Sequence, residues 1–182
     1  MLIFVTGGVR SGKSSFAEKL AIKQVESNHL HYVATSMDTD TEMHDRIHRH
    51  KERREASSAH WITWEVERNI GRLHEKIAQN SIILFDCLTT LVNNELFKLN
   101  GENYDMLNEN ERKALFNLII GSIHKLQHRR TLIVVSNEVF YEPFKRETTF
   151  AYVELLGKIH QRLVALSDEA YLCENGISIR MK

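Results

Sequence analysis

Eight consecutive residues, Gly7-Gly8-Val9-Arg10-Ser11-Gly12-Lys13-Ser14, fit the pattern G-x-x-x-x-G-K-[ST] throughout. Glycines let such a loop curl until successive backbone N–H groups point inward around phosphate oxygens. Lys13 then sets a point charge against the β and γ phosphates, and Ser14 offers a hydroxyl to Mg²⁺. A loop of this kind takes a partner acid from the end of a hydrophobic strand. Asp86, directly after Ile82-Ile83-Leu84-Phe85, has that place and would complete the Mg²⁺ shell. An aspartate there also suits the N-cap of the helical pattern that resumes at Leu88. Together these residues specify nucleotide-dependent phosphoryl or nucleotidyl transfer and leave the acceptor unnamed.

A second cluster reads Glu42-Met43-His44-Asp45-Arg46-Ile47-His48-Arg49-His50-Lys51-Glu52-Arg53-Arg54. At helical spacing Met43, Ile47 and His50 share a face, with Arg46, Arg53 and Arg54 close by. A neutral imidazole is a good nucleophile toward phosphorus, and neighbouring cations disfavour its protonated form. The same cations would stabilise a pentavalent centre as it gathers negative charge. Local sequence alone favours a plainer account, a solvated basic helix with Asp45–Arg49 ion pairs. His44 and His48 also stand at the i, i+4 spacing of two zinc ligands, without the Glu of H-E-x-x-H or an obvious third ligand.

Short apolar runs alternate with helical patterns along the whole chain. Leu2 to Val5, His31 to Ala34, Trp61 to Glu65, Ile82 to Phe85 and Thr131 to Val135 read as strands. Helices are expected from Lys13 to about Glu26, from about Asp40 to Glu55, and near Gly71 to Ala78. Others are expected from Leu88, through Leu115, Leu118, Ile119, Ser122 and Leu126, and through Val153, Leu156, Ile159 and Leu163. The polar stretch from Asn100 to Asn110 reads as a loop. Ala170 to Cys173, then Asn175-Gly176, then Ile177 to Met181 is a hairpin signal, since Asn-Gly supplies the positive φ values of a two-residue turn. The alternation predicts one α/β domain over residues 1–182, a mostly parallel sheet with helices on both faces and a C-terminal antiparallel hairpin.

Composition removes several function classes. The 24 basic and 24 acidic side chains cancel, so no global field attracts nucleic acid or an anionic membrane. The longest apolar runs are far short of the roughly 20 residues a membrane helix needs. The five apolar residues at the start run straight into Thr6-Gly7-Gly8, which is no pattern for a signal peptide. Two distant cysteines, Cys87 and Cys173, suggest neither a disulfide scaffold nor a zinc knuckle. A cytoplasmic protein is the expectation.

Longer motifs are more specific than the phosphate loop alone. They are Thr6-Gly7-Gly8-x-Arg10-Ser11-Gly12-Lys13-Ser14, Tyr32-Val33-Ala34-Thr35-Ser36, Glu42-Met43-x-x-Arg46-Ile47-x-x-His50 and Trp61-x-x-x-Glu65. Asp86-Cys87-Leu88-Thr89 with Asn93, and Ser136-Asn137-Glu138-Val139, follow. Gly157-x-x-x-Gln161, Ser167-Asp168-Glu169 and Gly176-x-x-x-Arg180-x-Lys182 close the series. On these residues the chain resembles, nearly end to end, the bifunctional adenosylcobinamide kinase / adenosylcobinamide-phosphate guanylyltransferase family of cobalamin biosynthesis. The resemblance implies a P-loop NTPase (RecA-like) fold and two reactions. The family phosphorylates the aminopropanol hydroxyl of adenosylcobinamide with ATP or GTP, and Mg²⁺ is the expected cofactor. It then takes GMP from GTP onto a histidine and passes it to the new phosphate, giving adenosylcobinamide-GDP.

Carried over position by position, the guanylylated histidine is His50. Nucleotide contacts would come from Gly7, Gly8, Val9, Arg10, Ser11, Gly12, Lys13 and Ser14, from Ala34, Thr35 and Ser36, from Lys51, Glu52, Arg53 and Arg54, and from Glu65 and Asp86. A homotrimer is implied as well. Two places depart from the family's pattern: Phe140 to Arg146 lacks the glycines usual there, and His160 stands where Asn is usual. Both fall where the corrinoid or its phosphate is expected to bind. Enzymes with one of the two activities, or with another acceptor, share the phosphate loop. So does a regulatory nucleotide switch, which has no use for a nucleophilic histidine.

Overall fold

Runs rich in Ile, Val, Leu and Phe pair into a seven-stranded sheet in the order β3-β2-β4-β5-β1-β6-β7. The computed structural model describes residues 1–24, 29–36, 48, 50–52, 54–57, 59–100, 108–139 and 147–182. The strands are β1 (Leu2–Gly7), β2 (Leu30–Ala34), β3 (Trp61–Glu65), β4 (Ile82–Asp86), β5 (Thr131–Asn137), β6 (Glu169–Glu174) and β7 (Ile177–Arg180). The helices are α1 (Lys13–Lys23), α2 (Leu88–Asn100), α3 (Glu109–Gln127) and α4 (Glu147–Leu166), with a 3-10 helix at Ile70–Glu75. Every neighbouring pair is parallel except β6 with β7.

The central strands read as unbroken apolar runs because both of their faces are covered. Leu2, Phe4, Ile83, Phe85, Leu132 and Val134 point to the side holding Leu91, Ile119, Ile123, Leu156 and Ile159 of α2, α3 and α4. Ile3, Val5, Ile82, Leu84, Ile133 and Val135 point to the other side, where α1 meets them with Ala17 and Ala21. Small alanines let α1 lie close on the sheet, which fixes how the phosphate loop leaves β1. Each buried Val, Ile, Leu or Phe stabilises the fold by about 1.5–3 kcal/mol before entropy is counted.

Most predicted elements stand where expected. Asn175 (φ 49°) and Gly176 (φ 81°) make the turn between β6 and β7. The helix expected near Gly71 to Ala78 is instead a tight 3-10 turn that begins at Ile70. There the backbone comes so close to α3 that a Cβ on Gly71 would lie 3.2 Å from the Ser122 Cα. Arg130, itself buried, closes this turn by donating to the carbonyls of His74 (2.7 Å) and Ala78 (3.1 Å) and to that of Ile77. Helix α3 starts inside the stretch read as loop. Its capping box has Asn108 accepting from the Glu111 N–H at 3.0 Å and Glu111 accepting from the Asn108 N–H at 2.9 Å. Cys87 and Cys173 are both buried free thiols.

His160 faces the interior. Its Nε2 lies 2.8 Å from the Ser136 hydroxyl, which is 3.1 Å from the Thr89 hydroxyl, and its ring meets Phe4 edge-on at 5.1 Å. Burial lowers its pKa to about 4, so the native protein holds it neutral. Below pH 6.5 the unfolded chain binds a proton that the native state refuses until about pH 4. Stability from this residue is therefore complete above pH 6.5 and is lost as pH falls through that window, by up to about 3 kcal/mol. His160→Asn should remove this slope, so that chemical denaturation of the two proteins diverges between pH 6.5 and 4. Parallel stability curves would contradict the assignment.

Candidate active site

The carboxyl ends of the parallel strands finish on one edge, and the chemistry-bearing residues are gathered there. Register brings Gly7 beside Asn137 and Cys173, and Ala34 between Asp86 and Glu65. In open α/β sheets this edge is where ligands bind.

The phosphate loop leaves β1 at Gly7, where only hydrogen fits. A Cβ there would collide with the Cys173 carbonyl oxygen and come within 2.7 Å of the Ser11 hydroxyl. Arg10 (φ 61°) and Gly12 (φ 90°) turn the chain back on itself, and the Ser11 N–H donates to the Gly8 carbonyl at 3.2 Å. The β6–β7 turn props this loop from outside, with the Gly176 N–H donating to the Ser11 carbonyl at 3.0 Å. Lys13 is buried and its ammonium donates to the Gly8 carbonyl at 2.9 Å, so it is folded into the cradle. Helix α1 has no side-chain cap and no acid in its first turn, an arrangement that suits an anionic ligand. Val9, Arg10 and Gly12 are exposed on the loop, whereas Ser11 is buried with its hydroxyl unpartnered among the described residues.

Asp86 ends β4, with β5 separating it from β1. The Tyr32 hydroxyl donates to its Oδ2 at 3.4 Å. Burial, reinforced by Asp86, raises the Tyr32 pKa well above the ordinary phenol value, so Tyr32 remains a donor. Thr35 is fully buried. Its hydroxyl donates to the Cys87 carbonyl at 2.8 Å and accepts from the Cys87 N–H at 3.0 Å, while Asn94 donates to its carbonyl at 3.0 Å. The Thr35 side chain thus ties the end of β2 to the end of β4, and Ser36 follows at intermediate exposure. Glu65 is exposed at the end of β3.

Residues 48, 50–52, 54 and 55 are helical. His50 lies against α1, with Nδ1 3.6 Å from Oε1 of Glu18. Arg54 reaches the same carboxylate at 3.9 Å and stacks its guanidinium over the Tyr32 ring at 3.6 Å. Glu18 and Arg54 are more than nine-tenths buried and His50 is only 21% exposed. One run of contacts therefore joins His50 through Glu18, Arg54 and Tyr32 to Asp86. Lys51 and Glu52 are exposed, and Glu52 pairs with His48 at 3.4 Å. Arg53 lies outside the described residues, as do Glu42 to Ile47, Arg49 and the altered stretch Phe140 to Arg146. Among the described residues no three His, Cys, Asp or Glu side chains stand together as metal ligands.

Three further residues, given no role by the sequence, stand near these groups. Glu18 interrupts the apolar face of α1 beside Ala17 and Ala21, and an acid at such a position is the signal that could have found it. Tyr32 hides inside a strand motif. Glu138 follows β5, where its N–H donates to the Gly7 carbonyl at 3.0 Å. Burial and then Glu174 push its carboxyl up, and Lys13 pulls it down.

Comparisons with known proteins bear on what this edge does. Residues 3–181 match the family described as cobinamide kinase / cobinamide phosphate guanyltransferase. The chain is 34% identical over 190 residues to a bifunctional adenosylcobalamin biosynthesis protein, CobU, of Salmonella typhimurium, with both chains covered in full. It is 34% identical over 188 residues to the protein of the same name from Escherichia coli, again in full. The CobP protein of Pseudomonas aeruginosa is 31% identical over 180 residues, 98% of this chain and 95% of its own. Among solved structures, an ATPase of a bacterial type III secretion system superposes with a TM-score of 0.57 at 11% identity. That match takes in 98% of this chain and 56% of the ATPase, and it establishes the P-loop NTPase fold.

The tie between Thr35 and Cys87 can be tested directly. Thr35→Val keeps the shape but orphans a buried N–H and a buried carbonyl, at about 1–3 kcal/mol for each unsatisfied group. Thermal melting should show a clear loss that Thr35→Ser largely restores. A valine variant as stable as the parent would rule out a structural role for the hydroxyl.

Proposed function

The chain belongs to the cobinamide kinase / cobinamide phosphate guanyltransferase family, and from that premise we propose which of its residues perform each step. It is a bifunctional transferase of cobalamin biosynthesis. In the kinase step the hydroxyl of adenosylcobinamide attacks the γ phosphate of ATP or GTP held in the loop Gly7 to Ser14. Lys13 offsets the charge of the transferring group. In the second step His50 takes GMP from GTP and hands it to the phosphate made in the first. The observation that carries this reading is the placement of His50 against α1, the helix that the phosphate loop opens.

The Ser14 hydroxyl and the Asp86 carboxylate are hard oxygen donors of the kind Mg²⁺ takes, so these residues fit the metal the reaction calls for. Bound there, Mg²⁺ would supply charge stabilisation at the phosphates. Ala34, Ser36, Lys51, Glu52, Arg53 and Glu65 are assigned to the nucleotide by resemblance, as is the backbone around Thr35. Arg54 is assigned a double role, since its guanidinium also neutralises Glu18. We place the reaction in the cytoplasm and both activities in one domain. We also carry over the family's homotrimer, for which Ile177, Ile179 and Met181, exposed on or beside the edge strand β7, offer apolar surface. No described helix is long and apolar enough to cross a membrane.

Two variants separate the steps. Incubation with α-labelled GTP should label the native chain, with release of pyrophosphate, through a bond labile to acid and stable to base. His50→Ala should take up no label and lose GMP transfer while still phosphorylating the acceptor. Lys13→Ala should lose the kinase reaction by a factor of about 10² to 10³ or more. Label persisting in His50→Ala, or found on His44 or His48, would refute the histidine assignment. Near-normal turnover in Lys13→Ala would refute the loop assignment.

A further inference from the structure

We propose that Glu18 is the positioning residue of guanylyl transfer: it holds His50 by Nδ1, so that Nε2 faces the nucleotide and bonds to phosphorus. This rests on the reading of His50 as the nucleophile. The geometry that carries it is the 3.6 Å approach of His50 Nδ1 to Glu18 Oε1, with Arg54 3.9 Å from the same oxygen. A carboxylate more than nine-tenths buried on the sheet-facing side of a helix is costly and persists only where cations meet it. The Arg54 guanidinium is such a cation, and His50 Nδ1 approaches the same oxygen.

Spacing along α1 places this contact at the phosphates. Ser14 and Glu18 stand at i and i+4, on one face of the helix. Lys13 and Glu18 are five residues apart, ~7.5 Å along the axis. An imidazole held at Glu18 therefore lies beside the helix face that opens toward the nucleotide, within the reach of a triphosphate.

The chemistry follows from which nitrogen bears the proton. With the proton on Nδ1, the Nε2 lone pair forms the bond to the α phosphorus while the bond from that phosphorus to the bridging oxygen breaks. Pyrophosphate leaves with the electron pair. The ring then carries hydrogen on Nδ1 and phosphorus on Nε2 and bears a positive charge, which the Glu18 carboxylate offsets. When an oxygen of the acceptor phosphate attacks, the N–P electron pair returns to the ring and neutral imidazole is restored. With the ring reversed, the phosphoryl group would form against the carboxylate, anion against anion.

The native protein labelled with ¹⁵N in histidine, loaded with GTP and kept at alkaline pH, gives the deciding spectrum. Phosphorus coupled to Nε2 of His50 is the expected result. Coupling to Nδ1 would overturn the role of Glu18 while leaving His50 the nucleophile, and no adduct on His50 would overturn both. Glu18→Gln keeps the shape and removes the charge. Its single-turnover adduct formation should fall about 10²-fold or more while GTP Kd stays within about threefold of the parent. An unchanged rate, or equal losses of rate, GTP affinity and melting temperature, would reduce Glu18 to a structural part and overturn the proposal.

Discussion

Six strands run parallel, so all their carboxyl ends finish on one edge of the sheet and each crossover must leave from there. That constraint organises the molecule. It puts the loop after β1, the acid at the end of β4 and the ends of β2 and β3 within one row. It also sets β1 between β5 and β6, so the phosphate loop grows out of a strand paired on both sides. The close fit of Gly7 against the Cys173 carbonyl, and the Gly176 N–H on Ser11, then hold the loop in shape from the side. The antiparallel β6–β7 hairpin thus supports the loop although it carries none of the residues assigned to the nucleotide.

Two phosphoryl chemistries need different things from one nucleotide. Transfer of the γ phosphate is served by fixed charge and backbone N–H groups at the end of α1. Transfer through the α phosphate needs a nucleophile that is neutral, oriented and able to carry charge briefly. Helix α1 can serve both, with the lysine in its first turn and Glu18 one turn further on. The Arg54 guanidinium, stacked on Tyr32, keeps that acid from standing alone in a dry interior. Tyr32 in turn donates to Asp86, so the acid that ends β4 and the acid beside His50 belong to one network.

The strands, the phosphate loop and the Asn175-Gly176 turn were legible because each is encoded by neighbouring residues. Periodicity and local turn chemistry suffice for them. The run from Gly71 carries a helical pattern yet folds as a 3-10 turn, because its shape is set by α3, whose Ser122 comes too near for a side chain at Gly71. Thr35 illustrates the same limit at the site. Its motif suggests a ligand contact, while its hydroxyl is bound to Cys87, fifty-two positions away. Glu18 needed a partner from a separate helical segment to acquire meaning. His160, a departure from the family pattern in the sequence, proves to be a core residue joined to Ser136 and Phe4.

The central claim is that the loop after β1 and the histidine held by α1 act on the same nucleotide. A crystal structure with Mg²⁺ and a GTP analogue whose α–β bridge is a methylene group measures this as one distance. The account predicts the triphosphate within Gly7 to Ser14 and Nε2 of His50 in line with the bridging carbon, about 3–3.5 Å from the α phosphorus. An α phosphate directed away from α1, with His50 still bound to Glu18 and out of reach, would contradict it.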